Sequence, residues 1–359
     1  MADAHDATVD REAHDYDAVL VVSFGGPEGP DDVMPFLDNV LRGLSIPPAA
    51  KERIAQRYQR FDGVSPINAE TRAFIAALEA ELSAHDIALP VYWGNRNWHP
   101  LLPDTLKKMQ ADGVRRAIAH VTSTFASYSG CRKYREDLYA AAAGLDEPPV
   151  IDRLRLGFNH PGFIAAVMGH TRAAFEEVPA ERRADAPLLF TAHSLPVSMA
   201  RHARYQEQLR EACELVADGL DHDEWALAYQ SNNAAYGEPW LETDICEVMR
   251  ELGRDGVEDI VVVPIGFVCD HIEVVLDLDI EARAVAEEAG VNMVRAATVG
   301  THPTYVSMVR ELIEERLSPD AERLSVGRLA PSHDICPADC CLSGRPGKPK
   351  PALCGVPGA

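Results

Sequence analysis

Three carboxylates spaced four residues apart, Glu273, Asp277 and Glu281, follow an apolar strand-like run in PIGFVCDHIEVVLDLDIEA. On a helix that spacing stacks side chains on one face, so like charges line up in a column. A fully solvated face tolerates such a column; otherwise it suits a hydrated cation or a chain of proton transfers. Asp270, His271 and Glu273 stand where a buried strand ends, the place where α/β sheets gather functional groups, and this favours the second use. Carboxylate oxygens with imidazole suit divalent first-row metals, ferrous iron among them, whereas a structural zinc site draws on thiolates. His193 in LLFTAHSLPVSM ends another apolar strand and can take a proton near neutral pH or ligate a metal. Its chain neighbour Ser194 is no triad partner, and the sequence has no Gly-x-Ser-x-Gly elbow, so a serine hydrolase is set aside.

Other loops carry aromatic faces and cations: Arg57, Tyr58, Arg60 and Ser65 in RYQRFDGVSPINAET, the YWGNRNWHP segment, and Tyr128, Arg132, Lys133 and Tyr134 in FASYSGCRKYRED. Together they suit a flat aromatic ligand bearing carboxylates. YQSNNAAYGEPWLETD, with Gln230 and Ser231 ending a strand, shapes a cleft wall with Trp240 as packing. SFGGPEGPDD has neither a dinucleotide fingerprint nor a Walker lysine, which argues against nucleotide binding. Of eight cysteines, Cys336, Cys340, Cys341 and Cys354 crowd the C-terminal tail. Four thiolates satisfy tetrahedral zinc or a [2Fe–2S] cluster, and their spacing favours neither. Adjacent Cys340 and Cys341 are awkward joint ligands, and Cys131 is a body cysteine able to replace one; Cys213, Cys246 and Cys269 read as small buried residues.

The elements that must position these groups are short apolar strands alternating with amphipathic stretches, the pattern of βαβ units and parallel sheets. Strands are expected at Asp17–Phe24, Pro90–Trp93, Arg116–Thr122, Ile151–Leu154, Leu188–His193, Trp225–Tyr229, Asp259–Pro264 and Asn292–Ala296. The fold class is α/β, and the 359 residues exceed one ordinary core. The expected organisation is a disordered extension over 1–16, α/β domains over 17–157 and 158–317 with the last helix packing back on the first, and a Cys-rich tail over 318–359. A formal charge of −22 repels nucleic-acid backbones. The acidic N-terminus lacks a secretory pattern and no apolar run reaches the roughly 18 residues a bilayer span needs. The expectation is a cytoplasmic monomer without stable membrane insertion.

In their order, SFGGPEGPDDVMPFL, GVSPIN, NRNWHP, TAHSLP, YQSNNAAYGEPWL and GFVCDHIEVVLDLDIE resemble the ferrochelatase family, from Asp17 to about Leu317. With SPIN and the cysteine-rich tail, the chain is most similar to actinobacterial coproporphyrin ferrochelatases. The resemblance implies two Rossmann-like, chelatase-type domains with a tetrapyrrole in the cleft between them, and a lyase that takes Fe2+ as substrate. It implies that His193 and Glu273 are catalytic and hold the iron, that Ser65 and Tyr134 contact the porphyrin beside Arg57 and Tyr58, and that Asp277 and Glu281 conduct protons or cations. It also favours a [2Fe–2S] cluster on Cys336, Cys340, Cys341 and Cys354. Phe24 stands where some relatives place an iron-ligating tyrosine, so that ligand is not carried over. Arg42, Arg57, Arg132 and Lys133 are candidate partners for the four propionates of coproporphyrin III. Protoporphyrin IX, a cobalt or nickel chelatase, and a haem-delivery protein are the alternatives.

Overall fold

Apolar runs such as AVLVVS fold as the central strands of parallel sheets, buried on both faces, where β-branched side chains pack well. The structure is a computed structural model describing residues 10, 12, 14–44, 46–232 and 237–353. The first sheet contains β1 (Ala18–Ser23), β2 (Val91–Asn95), β3 (Arg116–Val121) and β4 (Val150–Arg153), in the order β2-β1-β3-β4. The second contains β5 (Leu188–His193), β6 (Trp225–Gln230), β7 (Asp259–Val263) and β8 (Asn292–Arg295), in the order β6-β5-β7-β8. All pairings are parallel, and the two sheets share one topology. Each expected strand is present, with ends displaced by a residue or two, the ordinary uncertainty of element boundaries.

Helices α1 (Val33–Val40), α2 (Pro48–Gln59), α3 (Ile67–Ala84), α4 (Leu102–Ala111) and α5 (Lys133–Ala142) accompany the first sheet. With the second run α6 (Pro161–Phe175), α7 (Val197–Ala200), α8 (Tyr205–Gly219), α9 (Ile245–Arg254), α10 (Ile272–Val274), α11 (Arg283–Ala289) and α12 (Pro303–Leu317). Two π-helical segments interrupt the pattern, Tyr128–Arg132 before α5 and Val275–Ala282 between α10 and α11. Both α6 and α12 begin at a His-Pro pair, where the histidine Nδ1 accepts from a first-turn amide and proline occupies the first helical position.

A single apolar cluster runs from Val19 and Ile118 of the first sheet, through Phe74, Phe163 and Val309 of α3, α6 and α12, to Phe190 and Val261 of the second. The terminal helix α12 thus packs on both α3 and α6 and ties the sheets together. A fully buried pair, Arg155 with Glu315 at 2.7 Å, adds a polar tie there. The extension expected to be disordered over 1–16 lies largely outside the described residues, but its described end is docked: Arg316 donates to Asp10 at 2.7 Å and the Tyr16 hydroxyl to Asp152 at 3.0 Å. The tail too lies on the body, with the Val326 amide donating to the Asn159 carbonyl at 2.9 Å. No helix among the described residues is long and apolar enough to cross a membrane.

Candidate active site

His193 ends β5, and Glu273 follows the loop after the neighbouring strand β7. That loop must lie directly on β5. Gly266 permits it: its amide donates to the Thr191 carbonyl at 3.0 Å, and a Cβ there would stand 2.7 Å from the Ala192 Cα. The result brings Glu273 Oε2 to 3.5 Å from His193 Nε2. His193 Nδ1 donates to the Ser194 carbonyl, and the Tyr205 hydroxyl donates to the His193 carbonyl at 2.9 Å. In the neutral ring this leaves the Nε2 lone pair facing Glu273, available to a proton or a metal. The pair stays wet: the side chains are 32% and 50% exposed.

Burial disfavours the His193 imidazolium, but the hydrogen bond and charge of Glu273 outweigh it and raise the pKa. Burial likewise pushes the Glu273 carboxyl up, yet His193, His271 and Arg57 bring it down to about 2. Each group thus favours the charged form of the other. His271 moves the other way, its pKa lowered by burial and by the neighbouring His193 charge.

Arg57 and Tyr58 come from α2 of the first half, yet the Arg57 charge lowers Glu273 and the Glu273 charge, after burial, raises the Tyr58 hydroxyl. The site therefore joins residues of both halves. Below Glu273, the column expected on an α-helix lies on a π-helix instead. Glu281 is exposed, while Asp277 is 8% exposed and accepts from the Ser231 hydroxyl. Burial raises Asp277 to about 6, with Glu273 and Glu281 adding to the rise. Asp270, at the head of the segment, is engaged elsewhere: Arg295 clamps it at 2.8 Å together with Asp279 at 2.6 Å.

Ser65 and Tyr134 are both buried. Ser65 lies against Gly26, and Tyr134 lies under the Arg96 guanidinium, 4.5 Å from its ring centroid, with Phe24 on another side of that guanidinium at 5.4 Å. Arg132 is buried and donates to the carbonyls of Ala338, Cys340 and Lys350, so it holds the tail rather than a ligand carboxylate. Lys133 pairs with Asp137, and Arg42 donates to Asn39 at 2.5 Å. Residue types and spacing on α5 did not show which side of that helix faces the tail. Asn233 to Tyr236 of the cleft-wall motif lie outside the described residues.

Of the tail cysteines, Cys354 lies outside the described residues. Cys336, Cys340 and Cys341 gather with Cys131 in one small buried cluster. Cys340 Sγ stands 3.5 Å from Cys341 Sγ and 3.7 Å from His333 Nε2. The donor atoms of His333, Cys336 and Cys340 all lie within 4.8 Å of one another. Hydrogen bonding from Cys131, aided by the Arg153 charge, draws the Cys336 thiol down to about 7. Arg153 donates to Cys336 Sγ at 3.1 Å and Arg135 to the Cys340 carbonyl at 3.1 Å, so buried cations surround the sulfurs. Sequence reasoning had missed His333, although His-x2-Cys-x3-Cys is a ligand-like spacing. Cys213, Cys246 and Cys269 sit apart, and burial raises each thiol.

Two parallel sheets of matching topology with an imidazole–carboxylate pair at their strand ends define a chelatase-type fold. Solved structures of the sirohydrochlorin chelatase SirB from Bacillus subtilis share it: one in complex with cobalt has a TM-score of 0.51 at 11% identity over 86% of this chain and 98% of its own. The Fe3+ form gives 0.52 at 14%, over 84% and 99%. A family model described as Ferrochelatase matches residues 16–317, and the chain belongs to the ferrochelatase family of lyases. A ferrochelatase of Rhodopirellula baltica is 49% identical over 91% of this chain and 93% of its own length. The coproporphyrin III ferrochelatase of Streptomyces griseus is 46% identical over 96% and 98%.

Proposed function

We propose that the protein inserts Fe2+ into coproporphyrin III to give iron coproporphyrin III, at a site formed by His193 and Glu273. The observation that carries the reading is the His193–Glu273 pair, 3.5 Å apart and open to solvent. Metallation requires iron to lose water, two pyrrole nitrogens to lose protons, and the macrocycle to bend so that its lone pairs are reachable. His193 Nε2 accepts a pyrrole proton or presents the metal, and Glu273 supplies the opposing oxygen. Acid–base help of this kind contributes roughly 10²–10⁴ in rate, with positioning and ring strain adding the rest. Arg57, Tyr58 and Ser65 border the macrocycle, Tyr134 supports that border from beneath Arg96, and Asp277 and Glu281 carry protons or cations away. Four propionates ask for more cationic partners than two, and the relatives named for coproporphyrin III span nearly the whole chain. The proposal includes a cytoplasmic monomer with no nucleic-acid partner, supported by the charge of −22 and by cysteines that are free thiols wherever they are described.

The test is metallation kinetics with coproporphyrin III and protoporphyrin IX side by side, for the wild type and His193→Ala. Coproporphyrin III should give the higher kcat/KM, and H193A should lose insertion while binding the porphyrin. Retained turnover in H193A removes the site assignment.

The tail reading is a [2Fe–2S] cluster that clips the tail to the body. Four thiols in one buried cluster, ringed by Arg132, Arg135 and Arg153, fit a group of net negative charge. Cys131, Cys336, Cys340 and Cys341 would hold it, with His333 at their edge. When bound, the group supplies cross-links between chain segments far apart in sequence. A colourless protein with stoichiometric zinc overturns the cluster.

A further inference from the structure

Gln230 is 1% exposed, and among the described residues neither its amide nitrogen nor its amide oxygen has a hydrogen-bonding partner. Buried side-chain amides are almost always paired, because leaving both ends unmade forfeits their hydration for nothing. Gln230 is in register with His193 across β5 and β6. Registered residues of neighbouring strands project to the same face of the sheet, so its amide lies beside the imidazole. Thr191, two residues before His193 and hence on that same face, is fully buried and its hydroxyl is likewise unpartnered. The π-helical segment covers this face, and Asp277 takes its hydrogen bond from Ser231, the residue next to Gln230.

The first sheet supplies a control. Asn95 occupies the matching place, in register with Ser23 at the end of β1. Its amide is fully engaged: the nitrogen donates to Asn68 at 3.3 Å and to the His99 carbonyl at 3.0 Å, and the oxygen accepts from Trp93 at 2.9 Å. One topological position thus carries a structural amide in one half and an unengaged amide beside the reactive histidine in the other.

We infer that Gln230, with the Thr191 hydroxyl below it, is a positioning residue that holds water between His193 and the Ser231–Asp277 pair. The bridge gives the imidazole a hydrogen-bonded route to the carboxylate column behind the porphyrin face. This rests on His193 being the metallation residue, so H193A is measured beside the Gln230 variants. Gln230→Leu removes both amide ends at similar volume, and Gln230→Glu restores an acceptor. The readouts are kcat, porphyrin KM, Tm and the H2O/D2O rate ratio. Q230L should lower kcat tenfold or more, leave KM and Tm unchanged or raise Tm, and raise the rate ratio; Q230E should recover most of the turnover. Turnover of Q230L within twofold of wild type, with H193A inactive, overturns the inference and leaves the site intact. A fall in kcat with an unchanged rate ratio marks Gln230 as packing and also overturns it. Turnover by H193A overturns the site itself.

Discussion

Each half of the molecule leaves its third strand and enters a π-helical segment, Tyr128–Arg132 after β3 and Val275–Ala282 after β7. The first delivers Cys131 and Arg132 to the tail cysteines, and the second, entered through Glu273, carries Asp277 and Glu281. Equivalent places in one topology therefore hold soft sulfur donors in one half and hard oxygen donors in the other. The widened turn, common at functional sites, supplies similar geometry in both halves, and the side chains it presents set them apart. Their surroundings differ accordingly. The sulfurs are largely buried and ringed by buried arginines, whereas the His193–Glu273 pair is open to solvent.

Breaking the oxygen half should have the largest effect. Glu273→Gln keeps the shape but removes the charge that holds the His193 proton, and insertion should fall by about 10²–10⁴ with porphyrin affinity retained, as read by steady-state kinetics and fluorescence quenching. Asp277→Asn is next. Asp277 has its pKa raised to about 6 in the folded state, so the folded protein prefers the protonated form; the charged form costs stability once the pH exceeds that value. The wild type should lose up to about 3 kcal/mol relative to D277N as pH rises from about 4 through 6, with the two converging below pH 4, as followed by Tm against pH. The smallest effect on turnover belongs to the sulfur half. Cys131→Ser should abolish the visible absorbance and metal content of the tail site and lower Tm, while turnover per folded molecule stays near wild type. A loss of turnover as large as that of Glu273→Gln would merge the two sites into one machine.

Much of this was legible in the residues. All eight strands and the α/β class follow from apolar runs, and the places of His193 and Glu273 follow from polar groups at their carboxyl ends, because a parallel strand buried on both faces must be continuously apolar; the role expected of His193 came chiefly from the family resemblance. The column at Glu273, Asp277 and Glu281 was legible in spacing but not in environment, since nothing local announces a π turn that leaves Asp277 buried between two exposed glutamates. Tyr134 and Arg132 looked like ligand-facing groups by type; packing under Arg96 and against the tail withdrew them.

By itself the sequence determined which elements form and which residue types stand at their ends, because hydrophobic periodicity and capping act over a few neighbouring residues. Only the tertiary structure decided which of those ends meet. Glu273 reaches His193 because Gly266 lets one loop lie on the neighbouring strand, and Cys131 joins Cys336 across some two hundred residues of chain because Arg132 and Arg135 hold the tail backbone. Such contacts depend on the path of the whole chain and on close packing between distant segments, and no local pattern of residues encodes them.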